Sequence, residues 1–292
     1  MQAPDSPCDA LETLPGGGRR NTGIEVHERA EAGEIRGPRK ESQGRAPCRA
    51  QGSALGLPLA MNPWIKLDTS SIPGGKGELR LMWRSTEFSI MLGHNELMNS
   101  RLSGSEEALA TLSCERICEH RNAHILIGGL GMGFTLRAAL GVAAPDASIT
   151  VAELVPAVIA WARGPMAELH GTSLDDPRVT LHQGDVGQLI RSGRSAYDAI
   201  LLDIDNGPSG LTRASNDSLY DKVGLGLAYA ALKPGGVLAI WSAAPDPHFT
   251  KLLHKTGFAV EELRVRAKTG RSGARHVIWL ASVETAPRPG PP

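Results

Sequence analysis

Four apolar runs in this chain end in residues able to do chemistry. "HILIGGLGMGF" passes through Gly128, Gly129, Gly131 and Gly133, four glycines in six positions. "SITVAEL" delivers Glu153 and Leu154, "RVTLHQGDV" delivers Gly184, Asp185 and Val186, and "YDAILLDIDN" delivers Asp203, Asp205 and Asn206. Glycine costs the most backbone entropy on folding, so a cluster where an apolar strand meets a helix implies that something approaches the main chain closely. Such a loop offers N–H groups and a helix N-terminus to a ligand. Glu153 lies some 20 residues beyond the last of these glycines, where a carboxylate accepts hydrogen bonds from ribose hydroxyls. Asp185 is placed to accept from the exocyclic amine of adenine. With Leu154 and Val186 beside them, these residues describe an adenosine pocket.

Positioning that set requires a particular architecture. Apolar strands alternate with helix-like segments from "HILIG" to "RHVIWLAS", which demands a doubly wound, mostly parallel sheet covered by helices on both faces. No helix separates the final two strands, "FAVEELRVRA" and "RHVIWLAS", so one of them runs antiparallel at or near the edge. In an open sheet of this kind ligands bind outside the carboxyl ends of the strands, near the point where strand order reverses. Ahead of it, "ELRLMW" and "EFSIML" flank "RST" and predict an antiparallel β-hairpin. "SGSEEALATLSCERICEH" reads as a helix with Ser103 or Ser105 as N-cap and acids in its first turn. "LKPGGV" reads as a helix stop followed by a strand.

Residues 1–60 are rich in Gly, Pro, Arg and Glu and carry no sustained period, so they are expected to be disordered. Met61 opens the folded-looking sequence and is read as the native start. Domain boundaries are set at 61–103 for the N-terminal β element, 104–283 for the sheet domain and 284–292 for a disordered Pro-rich tail. Lys plus Arg balance Asp plus Glu at 31 each, which gives no bulk attraction to nucleic acid or an anionic membrane. No apolar run reaches the ~18 residues of a membrane span. The four cysteines do not form a disulfide framework, which fits a reducing cytoplasm.

The constellation resembles the class I S-adenosylmethionine-dependent transferase fold and, within it, the spermidine synthase-like (polyamine aminopropyltransferase) family. "LIGGLGMGFTLR" is similar to the family's nucleotide loop, "VAELVPAVI" to its ribose-binding acid, "DDPRVTLHQGD" to its adenine-contacting stretch, and "YDAILLDIDNGPSGL" to its catalytic segment. The resemblance covers roughly residues 64–282 and implies a seven-stranded sheet and a homodimer formed through the N-terminal β element. It implies aminopropyl transfer from decarboxylated S-adenosylmethionine, as co-substrate and without a prosthetic group or metal, to an amine such as putrescine. An alkylammonium must lose a proton before it attacks, and a carboxylate at that nitrogen both orients the cation and accepts the proton. Asp203 takes this role, Asp205 and Asn206 position, and Glu106, Glu107 and Tyr220 contribute to substrate binding.

Departures from the family pattern define the alternatives. The family's glycine loop carries an acid that pairs with the donor's amine, where this loop has Gly131 and Met132; its spaced catalytic aspartates are compressed to Asp203 and Asp205; Trp241 stands where Gln is usual. A methyltransferase using intact S-adenosylmethionine is the second expectation, and a non-catalytic nucleotide or polyamine sensor the third. Cys114, Cys118 and His120 lack a second spaced pair and are read as packing, not as metal ligands. The five basic residues of "RVRAKTGRSGAR" are read as a solvated connection, and His182, His248, His254 and His276 as sheet or surface residues without a nearby Ser or Cys.

Overall fold

A computed structural model describes residues 62–75, 77–204, 218–267 and 274–285. Expectations for residues 1–60, Met61, Asp205, Asn206 and most of the C-terminal tail lie outside the described residues.

The chain begins in an antiparallel sheet of four strands in the order β1-β2-β3-β4. These are β1 (Ile65–Ser71), β2 (Glu78–Arg84), β3 (Glu87–Leu92) and β4 (Asn95–Asn99). The expected hairpin is its central pair, closed by a tight turn in which Ser85 adopts φ 56°. The flanking strands, missing from the sequence reading, are short and mostly exposed. Ladder hydrogen bonds rather than apolar alternation make them strands, so period 2 could not reveal them. Helix α1 (Gly104–Arg116) follows. Ser103 occupies its N-cap position but makes no side-chain cap bond, and Ser105 lies inside the first turn, turned to other partners.

The second sheet has seven strands, β5 (His124–Gly128), β6 (Ser148–Glu153), β7 (Val179–Gln183), β8 (Tyr197–Leu202), β9 (Leu232–Ser242), β10 (Ala259–Arg266) and β11 (Arg275–Ser282). Its order is β10-β11-β9-β8-β5-β6-β7. Pairings among β5 to β9 are parallel, and β11 runs antiparallel to both neighbours, one strand in from the edge. The connecting helices are α2 (Phe134–Val142), α3 (Pro156–Arg163), α4 (Ala167–His170), α5 (Val186–Ser192), α6 (Lys222–Ala231) and α7 (Pro247–Thr256). Strand order reverses between β5 and β8, which opens the ligand crevice at Gly128 and Asp203.

Alternation within each central strand divides the core in two. Ile125, Ile127, Ala199 and Leu201 pack on the face holding α1, α2 and α3 and join Leu79, Leu81 and Ile90 of the first sheet. Leu126, Ile200, Leu202 and Ile240 pack on the opposite face with Leu225, Phe249 and Trp279. Strands buried on both faces read as unbroken apolar runs, which is why they were legible. The "LKPGGV" stop is tighter than expected: Leu232 directly follows α6 and already pairs with Tyr197. The ladder then breaks at Gly235, with φ 79°, and resumes at Ala199 opposite Val237.

The sheet's amino edge is pinned by Asp198, 3% exposed. Its carboxylate accepts from His120 Nδ1 at 2.8 Å, Lys233 Nζ at 2.6 Å and the His124 N–H at 2.7 Å. Burial opposes ionisation there, but the His124 N–H, Lys233 and His120 outweigh it and hold the carboxyl below its ordinary range. Asp198→Ala strands three donors and should cost about 2 kcal/mol in urea unfolding at pH 7. Because the folded pKa is depressed, the wild type's advantage exists above the unfolded-state pKa and should shrink as pH falls through the folded value.

Candidate active site

The glycine loop answers to a measurable steric constraint. A Cβ on Gly129, which has φ 93°, would stand 2.5 Å from the main-chain oxygen of Asp203. Only glycine lets the β5–α2 loop touch the end of β8, so the glycine loop and the segment opening at Asp203 are in direct contact. At Gly133, φ 77°, a Cβ would fall 2.4 Å from His170 Nδ1. His170 is buried beneath the loop, and burial, with Arg137 nearby, depresses its pKa to about 4, leaving a neutral packing ring.

Glu153, at the end of β6, is 7% exposed. Its Oε2 accepts from the Leu130 N–H at 3.0 Å and its Oε1 from the Val155 N–H at 2.8 Å, tying the glycine loop to the β6–α3 turn. Burial raises its pKa and these main-chain donors partly offset the rise. The Gly131 and Leu154 N–H groups also lie close enough to lower it. Asp185 caps α5 by accepting the Gly187 N–H at 2.8 Å through Oδ1, which leaves Oδ2 for a ligand.

Asp203 stands at the end of β8, across the strand-order reversal. Its Oδ2 accepts from Thr135 Oγ1 at 2.6 Å. Desolvation raises its carboxyl to about 6, against the pull of the Thr135 hydroxyl. Glu106, from the first turn of α1, is raised to about 7 by burial and by the nearby Asp203 charge, with Glu107 adding to the effect. Burial and the nearby Asp203 charge together favour the protonated form of Glu106 near neutrality.

Glu153, Asp185 and Asp203 share one cleft of about 800 Å³, part of it continuous with solvent. Gly129, Gly131, Glu153, Leu154, Asp185, Val186 and Asp203 line it. Gly128 lies beneath, against Leu202, Ile204 and Val186. The first sheet supplies an apolar wall of Ile72, Leu79, Ile90, Leu97 and Met98. That wall was invisible in sequence, because nothing local says that one sheet's buried face roofs the other's ligand edge. Thr135 was missed too; it sits in the helix after the glycines and meets an acid 68 positions away. Glu106, Glu107 and Tyr220 are not among the cleft-lining residues; Glu106 is linked to the cleft through the charge of Asp203. Tyr220 is buried with its ring edge-on to Phe249 at 5.9 Å, in the core behind the sheet.

A doubly wound sheet with a glycine loop, a ribose-placed acid and a carboxylate at the strand-order reversal defines the class of S-adenosyl nucleoside-binding transferase folds. The spermine/spermidine synthase domain matches residues 105–255, and the chain belongs to that family. It is 31% identical over 155 residues to polyamine aminopropyltransferase 1 of Streptomyces coelicolor, an alignment covering 49% of this chain and 28% of that protein. To the polyamine aminopropyltransferase of Nitrosomonas europaea it is 33% identical over 110 residues, covering 36% and 32%. The alignments thus span under a third of these curated relatives. Spermidine synthase from Thermotoga maritima superimposes with a TM-score of 0.60 at 19% identity, covering 76% of this chain and 74% of that one. A spermidine synthase in complex with the transition-state analogue AdoDATO gives 0.58 at 18%, with the same coverages. At those identities the likeness is one of fold. No helix among the described residues is long and apolar enough to cross a membrane.

Raised carboxyls make stability pH-dependent with a definite sign. A carboxyl whose folded pKa lies above its unfolded value stabilises fully below the unfolded value, and that contribution is lost as pH rises through the folded one. Wild-type Tm should therefore carry a decrease between pH 5 and 8 that is smaller in Glu106→Gln. Parallel Tm curves for the two proteins would contradict the facing pair.

Proposed function

We propose that the chain is an aminopropyltransferase of the cytoplasm, moving the aminopropyl group of decarboxylated S-adenosylmethionine to an amine such as putrescine. The observation that carries the reading is the placement of Asp203, desolvated and facing Glu106, in the same cleft as Glu153 and Asp185. Glu153 takes the ribose hydroxyls, Asp185 the adenine amine, and the glycine-loop N–H groups the nucleoside edge. The acceptor enters as an ammonium, drawn by the acid pair. Asp203 accepts one proton, freeing the nitrogen lone pair. The nitrogen attacks the carbon beside the sulfonium, the C–S bond breaks, and its electrons neutralise sulfur as a thioether nucleoside. Asp205 and Asn206 are assigned to positioning by their place next to Asp203 in sequence. The sulfonium is already a good leaving group, so in-line placement supplies much of the acceleration.

One observation favours a second reading, methyl transfer from intact S-adenosylmethionine. At Gly131 the nearest side-chain atom to a Cβ position is Met98 Sδ, at 3.1 Å. A thioether thus stands where the family's loop acid would pair with a donor amine and repel a donor carboxylate.

Calorimetry with both donors separates the readings. Aminopropyl transfer predicts at least tenfold tighter binding of the decarboxylated form, about 1.4 kcal/mol; the reverse preference supports methyl transfer. With the preferred donor, Asp203→Asn should lower kcat by 10²-fold or more, on the order of a lost general base, while donor affinity stays within about threefold. Full turnover in Asp203→Asn would refute the assignment. Absence of wild-type turnover on any amine would leave a sensor.

A further inference from the structure

Alkylation of an ammonium at neutral pH releases a proton, and Asp203, the proposed acceptor, lines a cleft with an apolar wall, with Glu106 close enough to feel its charge. A side-chain chain leads away from it. Ser105, 0% exposed, donates its hydroxyl to Glu106 Oε2 at 2.6 Å. The same Ser105 Oγ lies 2.9 Å from Nδ1 of His276, 171 positions away on β11. His276 is half-buried and is held edge-on against Trp241, ring centroids 4.7 Å apart. Facing Glu106 are Asp203 from β8 and Glu107 from its own helix. Facing His276 are Ser105 from α1, Trp241 from β9 and, across the ladder, Val265 of β10. Burial holds the His276 pKa below the ordinary value.

We propose that Ser105 and His276 are a proton outlet for the acid pair, carrying to solvent the proton taken from the acceptor amine. The proposal rests on the alkyl-transfer reading above. Its bookkeeping closes without any added reactant. When Glu106 holds the proton, its O–H donates to Ser105 Oγ, whose own hydrogen donates to Nδ1, and the imidazole carries its hydrogen on Nε2. Shifting both hydrogens along the chain leaves Glu106 ionised and the imidazolium protonated at both nitrogens. Loss of the Nε2 proton to water then leaves the Nδ1–H tautomer donating to Ser105. The depressed pKa favours that last release. A flip of the His276 ring, which turns the N–H outward and a bare nitrogen back to Ser105, resets the chain, and ionised Glu106 again lies in the field of Asp203. Nothing in local sequence marked His276 for this, because its Ser partner is supplied by the fold rather than by a nearby motif.

Two readouts test it. In weakly buffered solution His276→Ala should lower kcat at least tenfold with donor KM within twofold, and added imidazole should restore most of the loss. Ser105→Ala should show the same loss without rescue, whereas His276→Gln keeps the ring's polar contact and should remain slow. A His276→Ala enzyme with wild-type kcat, or a loss that imidazole does not touch in a protein of unchanged Tm, overturns the outlet. The second readout needs no turnover: ring ¹⁵N spectra of His276 in the intact chain should change from Nε2–H below pH 6 to Nδ1–H above pH 8. Glu106→Gln should abolish that change. A wild-type tautomer constant across the range overturns the proposal, whether or not any amine is alkylated. A pH-dependent tautomer in a protein that alkylates nothing would instead sink the alkyl-transfer reading and leave the hydrogen-bonded chain intact.

Discussion

The organisation of this protein depends on a contact with no side chain in it. The β5–α2 loop passes so close to the end of β8 that a single methyl at Gly129 would lie 2.5 Å from the Asp203 carbonyl oxygen. That approach puts the N–H groups of a nucleotide loop and the carboxylate of Asp203 at the same opening in the sheet, where strand order reverses. Glu153 fixes the loop's other flank by accepting from Leu130 and Val155. The cleft thus follows from main-chain geometry, and the side chains decide what it does.

Its carboxylates have been given different surroundings, and so different work. Glu153 and Asp185 each spend at least one oxygen on main-chain donors, which suits them to hold neutral hydroxyl and amine groups. Asp203, desolvated with the Thr135 hydroxyl as its donor, and Glu106, buried and pushed further up by the Asp203 charge, are both raised. That environment favours a cation or a proton at the carboxyls. The apolar wall of the first sheet strengthens those interactions by keeping water away. Family membership and this separation of roles point the same way.

How much of this was legible follows from which interactions are local. The central strands, buried on both faces, announce themselves as apolar runs, whereas the capping of α5 by Asp185 emerges only from the structure. The three cleft-lining acids Glu153, Asp185 and Asp203 are legible because acids at strand ends are themselves a pattern. Edge strands β1 and β4 were not, since exposed ladders carry no burial signal. Neither were Thr135, His276 and the roof of Ile72, Leu79, Ile90, Leu97 and Met98, whose partners are long-range. Tyr220 illustrates the same limit of local sequence: an aromatic at that position reads alike whether it faces the cleft or, as here, packs edge-on to Phe249.

The central claim is that one cleft presents an S-adenosyl nucleoside to the acid pair. A crystal structure with the thioether product, 5′-methylthioadenosine, bound tests it most directly. The account predicts the ribose diol on Glu153, the adenine amine at Asp185 and the sulfur turned toward the Asp203 carboxyl. A nucleoside seated elsewhere, or bound with its sulfur directed away from Asp203, would contradict it.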